Sequence, residues 1–274
     1  MKTVMIMTIC ALGWLTYQSG VLEHMRQAYE NRGNAKACTR ELLLMEAKRQ
    51  QMQLRVLSGC NVNLFEGVFE PARPLDLKTE VERITAGCAS KDERIRAVYW
   101  WITRNIAYDT EYRIYSADAC WLQRKGVCNA YSELLVKMLA AAEVNALKVS
   151  GEAKQEPVNE RGSSHAWVMV EKGDGSFMLC DPTWDAGYVT ADTGKFIQKP
   201  GWEWYDVDPR KMIYTHFPDI WHCQLLERPL NRKQYESLPA LSPEQISEPY
   251  PYAPTTPNKK DTLNKQITKK GERA

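Results

Sequence analysis

Three residues in the middle of the chain, Cys128, His165 and Asp181, have the types and the order that nucleophilic acyl transfer needs. Cys128 follows Gly126-Val127 at the expected start of a helix whose apolar stripe is Leu134, Leu135, Met138, Leu139 and Ala142. The unsatisfied amides and macrodipole of a helix N-terminus favour a thiolate over a thiol, and so raise nucleophilicity at neutral pH. The same amides can receive an oxyanion. A lone cysteine in that place is more often structural, so its meaning depends on its partners. His165, one of four histidines, falls on an expected strand and on the face of Trp167 and Met169. Ser164–Val170 and Ser176–Asp181 read as strands joined by Lys172-Gly173-Asp174-Gly175, a strong hairpin signal. That hairpin sets Asp181 opposite His165 or within one residue of it, within reach for a carboxylate to hold an imidazole. In such a triad the thiol attacks, the imidazole takes its proton, and the carboxylate fixes the tautomer and stabilises the imidazolium. A thiolate–imidazolium resting state gives a bell-shaped pH profile.

Other readings of these and neighbouring residues are weaker. A structural zinc ion held by Cys128, His165 and Asp181 is chemically allowed, because all three types are ligands, but a thiol at a helix start fits a nucleophile better. No cysteine pair has the CxxC spacing of zinc knuckles or thioredoxin-like sites. Neither a metal nor a cofactor is expected. His216 reads as support for loop geometry. His222 beside Cys223 reads as no second dyad, since neighbours on a strand point to opposite faces. For an oxyanion beside the cysteine amide, Trp100, Trp101, Trp121 and Gln123 upstream can all donate, and the sequence does not choose among them.

The elements that must position the three residues follow from periodicity. Helices are expected at 77–86 and 91–106, where Ile95, Val98, Tyr99, Ile102 and Ile106 share a face and Ser90 with Glu93 makes a capping box. After Glu143 the period becomes that of strands, beginning with Ala146–Val149. Further strands are expected within 187–207 and 211–226, with Trp202, Trp204 and Tyr205 among them. The fold class is α+β, with helices first and the Cys128 helix packed on an antiparallel sheet. Residues 76–238 form this domain. Residues 21–75 read as a helical appendage and linker, broken near Asn31-Arg32-Gly33-Asn34 and by Pro71 and Pro74. From Pro239 to Ala274, Pro, Ser, Thr, Asn and Lys dominate, which predicts a disordered tail.

Composition bounds the function. With 274 residues, 44% hydrophobic and 26% charged, the chain is no disordered polymer, collagen-like fibre or multi-span membrane protein. The net charge is only +2, and residues 258–274 hold six Lys/Arg against two Asp/Glu, so no global field recruits nucleic acid. That basic stretch lacks interleaved aromatics and reads as solvated. Lys2 precedes the apolar run Thr3–Leu15, which is short of the roughly 20 residues of a membrane span but suits a secretory signal. Residues 1–20 are therefore expected to be an export signal or uncleaved anchor, and the protein periplasmic, secreted or membrane-attached. The cleavage region has no clean small-x-small pair, and Cys10 lies too early for lipid attachment. Of eight cysteines, setting aside Cys10 and Cys128 leaves six, with about 15 pairings among which sequence does not choose.

Gly126-Val127-Cys128 with a small residue and Tyr131, then His165-Ala166-Trp167, then Asp181-Pro182-Thr183-Trp184-Asp185 resemble in type and order the transglutaminase-like core, a papain-like thiol fold. Trp101–Asp109 resembles the helix ahead of the site in that superfamily. Tyr214-Thr215-His216-Phe217-Pro218 and Gln224-Leu225-Leu226 are similar to a block in the branch related to kyphoscoliosis peptidase. The resemblance covers residues 80–230 and implies that Cys128, His165 and Asp181 are a catalytic triad, which argues against the zinc reading. Many members have Gly where this chain has Ala130. The implied activity is attack on amide carbonyls of a protein or peptide, with the acyl group passed to water or to an amine. Hydrolysis is expected, since the chain lacks the β-sandwich domains of the large crosslinking enzymes. The alternative is a catalytically silent module of the same fold that binds protein partners. Expected partners are a protein or peptide substrate and no nucleic acid, with N-terminal membrane attachment as one option; oligomeric state is not legible.

Overall fold

Helical spacing gives way to alternation after Glu143, and the architecture changes there. The computed structural model describes residues 27, 39–50, 77–154, 162–246 and 250. Helices come first: α1 (39–50), α2 (Leu77–Thr85), α3 (Lys91–Asn105), α4 (Ala117–Gln123) and α5 (Cys128–Ala141). Among them β1 (Ala107–Tyr108) pairs in parallel with β2 (Lys125–Gly126). The strands β3 (Ala146–Ala153), β4 (Ser163–Glu171), β5 (Phe177–Cys180) and β8 (His216–Pro218) form an antiparallel sheet of order β5-β4-β3-β8. Between β5 and β8 come a separate hairpin of β6 (Gly187–Val189) and β7 (Phe196–Gln198), then α6 (Pro209–Met212). The last described helix is α7 (Arg232–Glu236). The fold class is α+β, as the change of period predicts.

The α5 stripe decides the packing. Leu134, Leu135, Met138 and Leu139 are fully buried, against Ile95, Val98 and Ile102 of α3 and Val168 and Val170 of β4. Each such side chain contributes about 1.5–3 kcal/mol relative to exposure. The start of α3 is fixed by Ser90, whose hydroxyl accepts the Glu93 N–H at 3.1 Å. The Glu93 carboxylate returns to the Ala89 N–H at 2.7 Å, one residue before the position a capping box uses.

The remaining residues of the alternation, Leu147, Val149, Trp167, Met169 and Leu179, form a second core with Trp204, Met212 and Cys223, and α1 adds Leu43 and Ala47 to it. Residues 39–50 are thus part of the core and no appendage. At the edge of β3 that β8 leaves unpaired, Gln50 takes the place of a strand. Its side-chain amide donates to Lys148 O at 3.0 Å and accepts the Lys148 N–H at 2.7 Å. Arg40 and Lys91 both reach the Glu171 carboxylate, at 2.8 and 3.0 Å, and tie α1 and α3 to the end of β4.

Three expectations need correction. The stretch 187–207 holds only the short β6 and β7; Trp202, Trp204 and Tyr205 lie in turns. Tryptophan's strand preference is a preference for packed surface, and here the surface is a helix: Trp202 stacks on Trp100 at 4.7 Å. In 211–226 only His216–Pro218 is a strand, and Trp221–Gln224 is a 3-10 turn. Packing also continues past residue 238, since Ile246 is buried and the Tyr250 N–H donates to Arg210 O at 3.0 Å. Buried Lys154 anchors this end by donating to the carbonyls of Tyr235 and Leu238 at 2.7 and 2.9 Å, the acceptors a desolvated ammonium requires. The expected signal or anchor at 1–20 and the tail over 251–274 lie outside the described residues. Among the described residues no helix is long and apolar enough to cross a membrane. The described cysteines, Cys88, Cys120, Cys128, Cys180 and Cys223, are free thiols.

Candidate active site

Cys128 is the first residue of α5, with Val127 at the N-cap in extended conformation. Its approach is built from three contacts. Tyr108 pairs with Gly126 across β1 and β2. The Val127 N–H donates to Ile114 O at 3.0 Å. Ile114 is held in turn by buried Asp109, whose carboxylate accepts the N–H groups of Arg113 and Ile114 at 2.7 and 2.9 Å. Gly126 serves a close approach: a Cβ there would lie 2.7 Å from Ala130 Cβ and 3.0 Å from Cys120 Sγ. Ala130 is therefore what makes the fit tight.

His165 and Asp181 meet with a different register from the one expected. The ladder pairs Val168 with Cys180 and Glu171 with Phe177. Extended, it would set His165 level with Thr183 and leave Asp181 two residues off, not opposite. The turn from Lys172 to Ser176 is longer than the hairpin count assumed. An even offset keeps both residues on one face, and the diagonal distance is within reach of an imidazole. His165 Nε2 lies 2.6 Å from Asp181 Oδ2. Asp181, 0% exposed, is held from every side. Its Oδ1 accepts the N–H groups of Thr183 and Trp184 at 2.8 and 3.2 Å. Its N–H donates to Trp204 O at 2.9 Å, and its carbonyl accepts the Tyr99 hydroxyl at 3.0 Å. His216 Nε2 stands 3.2 Å from the same Oδ2 that meets His165.

The electrostatics follow this geometry. Burial pushes the Cys128 thiol up, but the hydrogen bond and charge of His165, with the Ala166 N–H, prevail and hold it below the ordinary thiol value. Burial alone would lower His165; the charge and hydrogen bond of Asp181, then Cys128, raise it to about 10. Against the upward push of burial, His165 and then His216 keep the Asp181 carboxyl below the usual carboxylate range. His216 is pushed down to about 4 by burial, which outweighs Asp181, and so is neutral near pH 7. Because Nε2 of His165 faces Asp181, Nδ1 is the ring nitrogen left for the Cys128 sulfur.

Above the thiol lies a cleft of about 380 Å3 whose walls include Tyr108, Tyr112, Trp184, Tyr188 and Phe196. None of the four upstream donors named from sequence lines it. Trp101 Nε1 donates to Glu80 at 3.1 Å, Trp100 is stacked on Trp202, and Trp121 packs under the Arg124 guanidinium. Tyr108 stands there instead, its phenol kept protonated by burial and then by Cys128. The usable signal was its place in the Trp101–Asp109 block, where the β1–β2 pairing carries it beside Gly126. His222 and Cys223 sit in a turn, not on a strand, with Cys223 in the second core. Among the described residues, His165, Asp181 and His216 bring donor atoms within 4.8 Å of one another. Their mutual hydrogen bonds account for that closeness.

Residues 78–182 match the family model of the transglutaminase-like superfamily. Kyphoscoliosis peptidase of Mus musculus is 29% identical over 192 residues, 65% of this chain and 29% of the relative. The Homo sapiens protein of the same name is 30% identical over 156 residues, 53% of this chain and 23% of the relative. The chain thus spans less than a third of the length of these curated relatives. The crystal structure of a TGase aligns with a TM-score of 0.36 at 19% identity, covering 55% of this chain and 40% of that one.

Proposed function

We propose that this transglutaminase-like domain is a thiol acyl-transfer enzyme that hydrolyses amide bonds of a protein or peptide, with Cys128, His165 and Asp181 as its triad. The observation that carries the reading is a cysteine at a helix N-terminus, hydrogen-bonded to an imidazole that a buried carboxylate holds at 2.6 Å. The Cys128 thiolate attacks the carbonyl carbon. The negative charge on oxygen meets the Cys128 N–H in the first turn of α5 and the Tyr108 hydroxyl, donors of a kind worth about 10²–10³ in rate. Collapse breaks the C–N bond, and the His165 imidazolium gives its proton to the leaving amine, leaving a thioester and a neutral imidazole. Water, deprotonated by His165, then attacks the thioester. A carboxylic acid departs and the thiolate–imidazolium pair returns. An amine in place of that water would give a new amide.

The name peptidase borne by the relatives supports water as the acceptor. The aromatic walls of the cleft favour a substrate with an apolar or aromatic side chain beside the scissile bond. The apolar Thr3–Leu15 run supports placing this chemistry outside the cytosol. Wild type and Cys128→Ala are to be incubated with unfolded protein substrates, new termini read by mass spectrometry, and a fluorescent primary amine added in parallel. Cleavage lost in the variant at unchanged melting temperature is the expected result. Amine incorporation without cleavage would assign crosslinking, and equal behaviour of both proteins would leave a binding module.

A further inference from the structure

We infer that His216 is a positioning residue: by donating to the carboxylate oxygen that holds His165, it fixes the rotation of Asp181 and tempers the pull of Asp181 on His165. The inference rests on the triad reading above. His216 opens β8, an edge strand that pairs with β3 and not with β4, yet its ring reaches the heart of the site. Gly151 makes this approach feasible, because a Cβ there would lie 2.2 Å from Phe217 O and 2.8 Å from Trp167. The His216 ring is buried among the indoles of Trp184, Trp167 and Trp204, with centroids at 4.6, 5.0 and 5.1 Å.

Its protons can be counted. His216 Nδ1 lies 2.8 Å from Thr215 Oγ1, and Nε2 lies 3.2 Å from Asp181 Oδ2. A carboxylate cannot donate, so Nε2 carries the proton of the neutral ring, and bare Nδ1 shares the Thr215 hydroxyl proton with Met212 O, which lies 3.1 Å from Oγ1. The groups whose charge acts on His216 are Asp181, just past the end of β5, and His165 on β4. With both backbone amides on Oδ1 and both imidazoles on Oδ2, the carboxylate has no freedom to turn. A second donor on Oδ2 also draws charge from the bond to His165, so that His165 is less basic than Asp181 alone would make it.

A purely structural His216 would affect melting and nothing else. The test is NMR titration of the imidazoles in wild type, His216→Phe and His216→Gln, with Cys128 alkylation by iodoacetamide at pH 6 read alongside. Loss of one hydrogen bond to a charged acceptor should move the His165 midpoint up by about one pH unit in His216→Phe. Gln, whose Nε2 can reach the same oxygen, should restore it. Should His216→Phe not fold, Thr215→Val removes the hydroxyl facing Nδ1, which weakens Nε2–H as a donor to Asp181, and should move His165 in the same direction. A His165 midpoint unmoved or lowered in a folded variant overturns the inference while leaving the triad in place. A wild-type His165 that titrates as an ordinary histidine, with no selective labelling of Cys128, overturns the triad reading itself.

Discussion

Replacing Asp181 by Asn tests the electrostatic account most directly. Asp181 is the main reason that His165 stands at about 10 against an ordinary imidazole value of about 6.5. At about 1.4 kcal/mol per unit, that shift corresponds to roughly 5 kcal/mol of preference for the imidazolium. In Asp181→Asn the two backbone N–H groups on Oδ1 require the amide oxygen to stay there, so the new NH2 points at His165 Nε2. An amide donor in that place forces the tautomer with its proton on Nδ1, facing the sulfur, which is the wrong form for a base. Burial then acts on His165 unopposed, the imidazolium is lost near neutral pH, and the Cys128 thiol returns to or above the ordinary value of about 8.5. Alkylation of Cys128 by limiting iodoacetamide, followed from pH 5 to 9 with peptide mass mapping, should fall at least tenfold at pH 6. Stability gives a second reading with a definite sign. A group raised in the folded state contributes stability that is whole below its unfolded value and lost as pH rises through the folded one. Because the depressed Cys128 thiol has the opposite sign and offsets His165 until the unfolded thiol also ionises near about 8.5, the wild-type urea midpoint should decline between about pH 8.5 and 10, and the variant should lack that decline. A variant that labels at the wild-type rate at pH 6 would refute the reasoning.

Two further substitutions probe the scaffold. Gly126→Ala places a Cβ 2.7 Å from Ala130 Cβ, and should cost about 1–3 kcal/mol in urea unfolding and slow Cys128 labelling. Adding Ala130→Gly should recover part of both, and an unchanged midpoint in the single variant would count against the close-approach account. Tyr99→Phe removes the hydroxyl that meets Asp185 Oδ2 at 2.5 Å and the Asp181 carbonyl at 3.0 Å, a loss of about 1–3 kcal/mol. Asp185 is raised to about 6 by burial, and the Tyr99 hydrogen bond favours its charged form. The deficit should therefore be larger at pH 8 than at pH 5, as equilibrium unfolding at both values would reveal.

The sequence carried α5, its Cys128 start and the β4–β5 hairpin, because each rests on local signals: a stripe, a Gly-Val-Cys turn, a Gly-Asp-Gly loop. It misjudged the register by one step beyond its range, since Lys172 and Ser176 are joined by a single backbone bond outside the ladder. His216 was out of reach for a different reason. It lies 35 residues beyond Asp181 and arrives through a sheet order that no local pattern encodes. Tyr108 is not among the four upstream donors that the sequence offers, and only the β1–β2 pairing brings it to the thiol. A helical reading of 21–75 does not say that Leu43 and Ala47 have the sheet as their partner.

The double covering of the sheet has a consequence for heredity. The segment 78–182 that matches the superfamily contains Cys128, His165 and Asp181, yet it excludes Leu43 and Ala47 on one flank and Met212, His216 and Cys223 on the other. Cut at those borders, it would bare Leu147, Val149, Trp167 and Met169 and open the β3 edge that Gln50 closes. A stop codon ahead of Met212 would strip one of those flanks, and an aggregating fragment is the expected product. Transplanting the marked segment into another gene would not carry the chemistry with it. The site descends only together with its flanks.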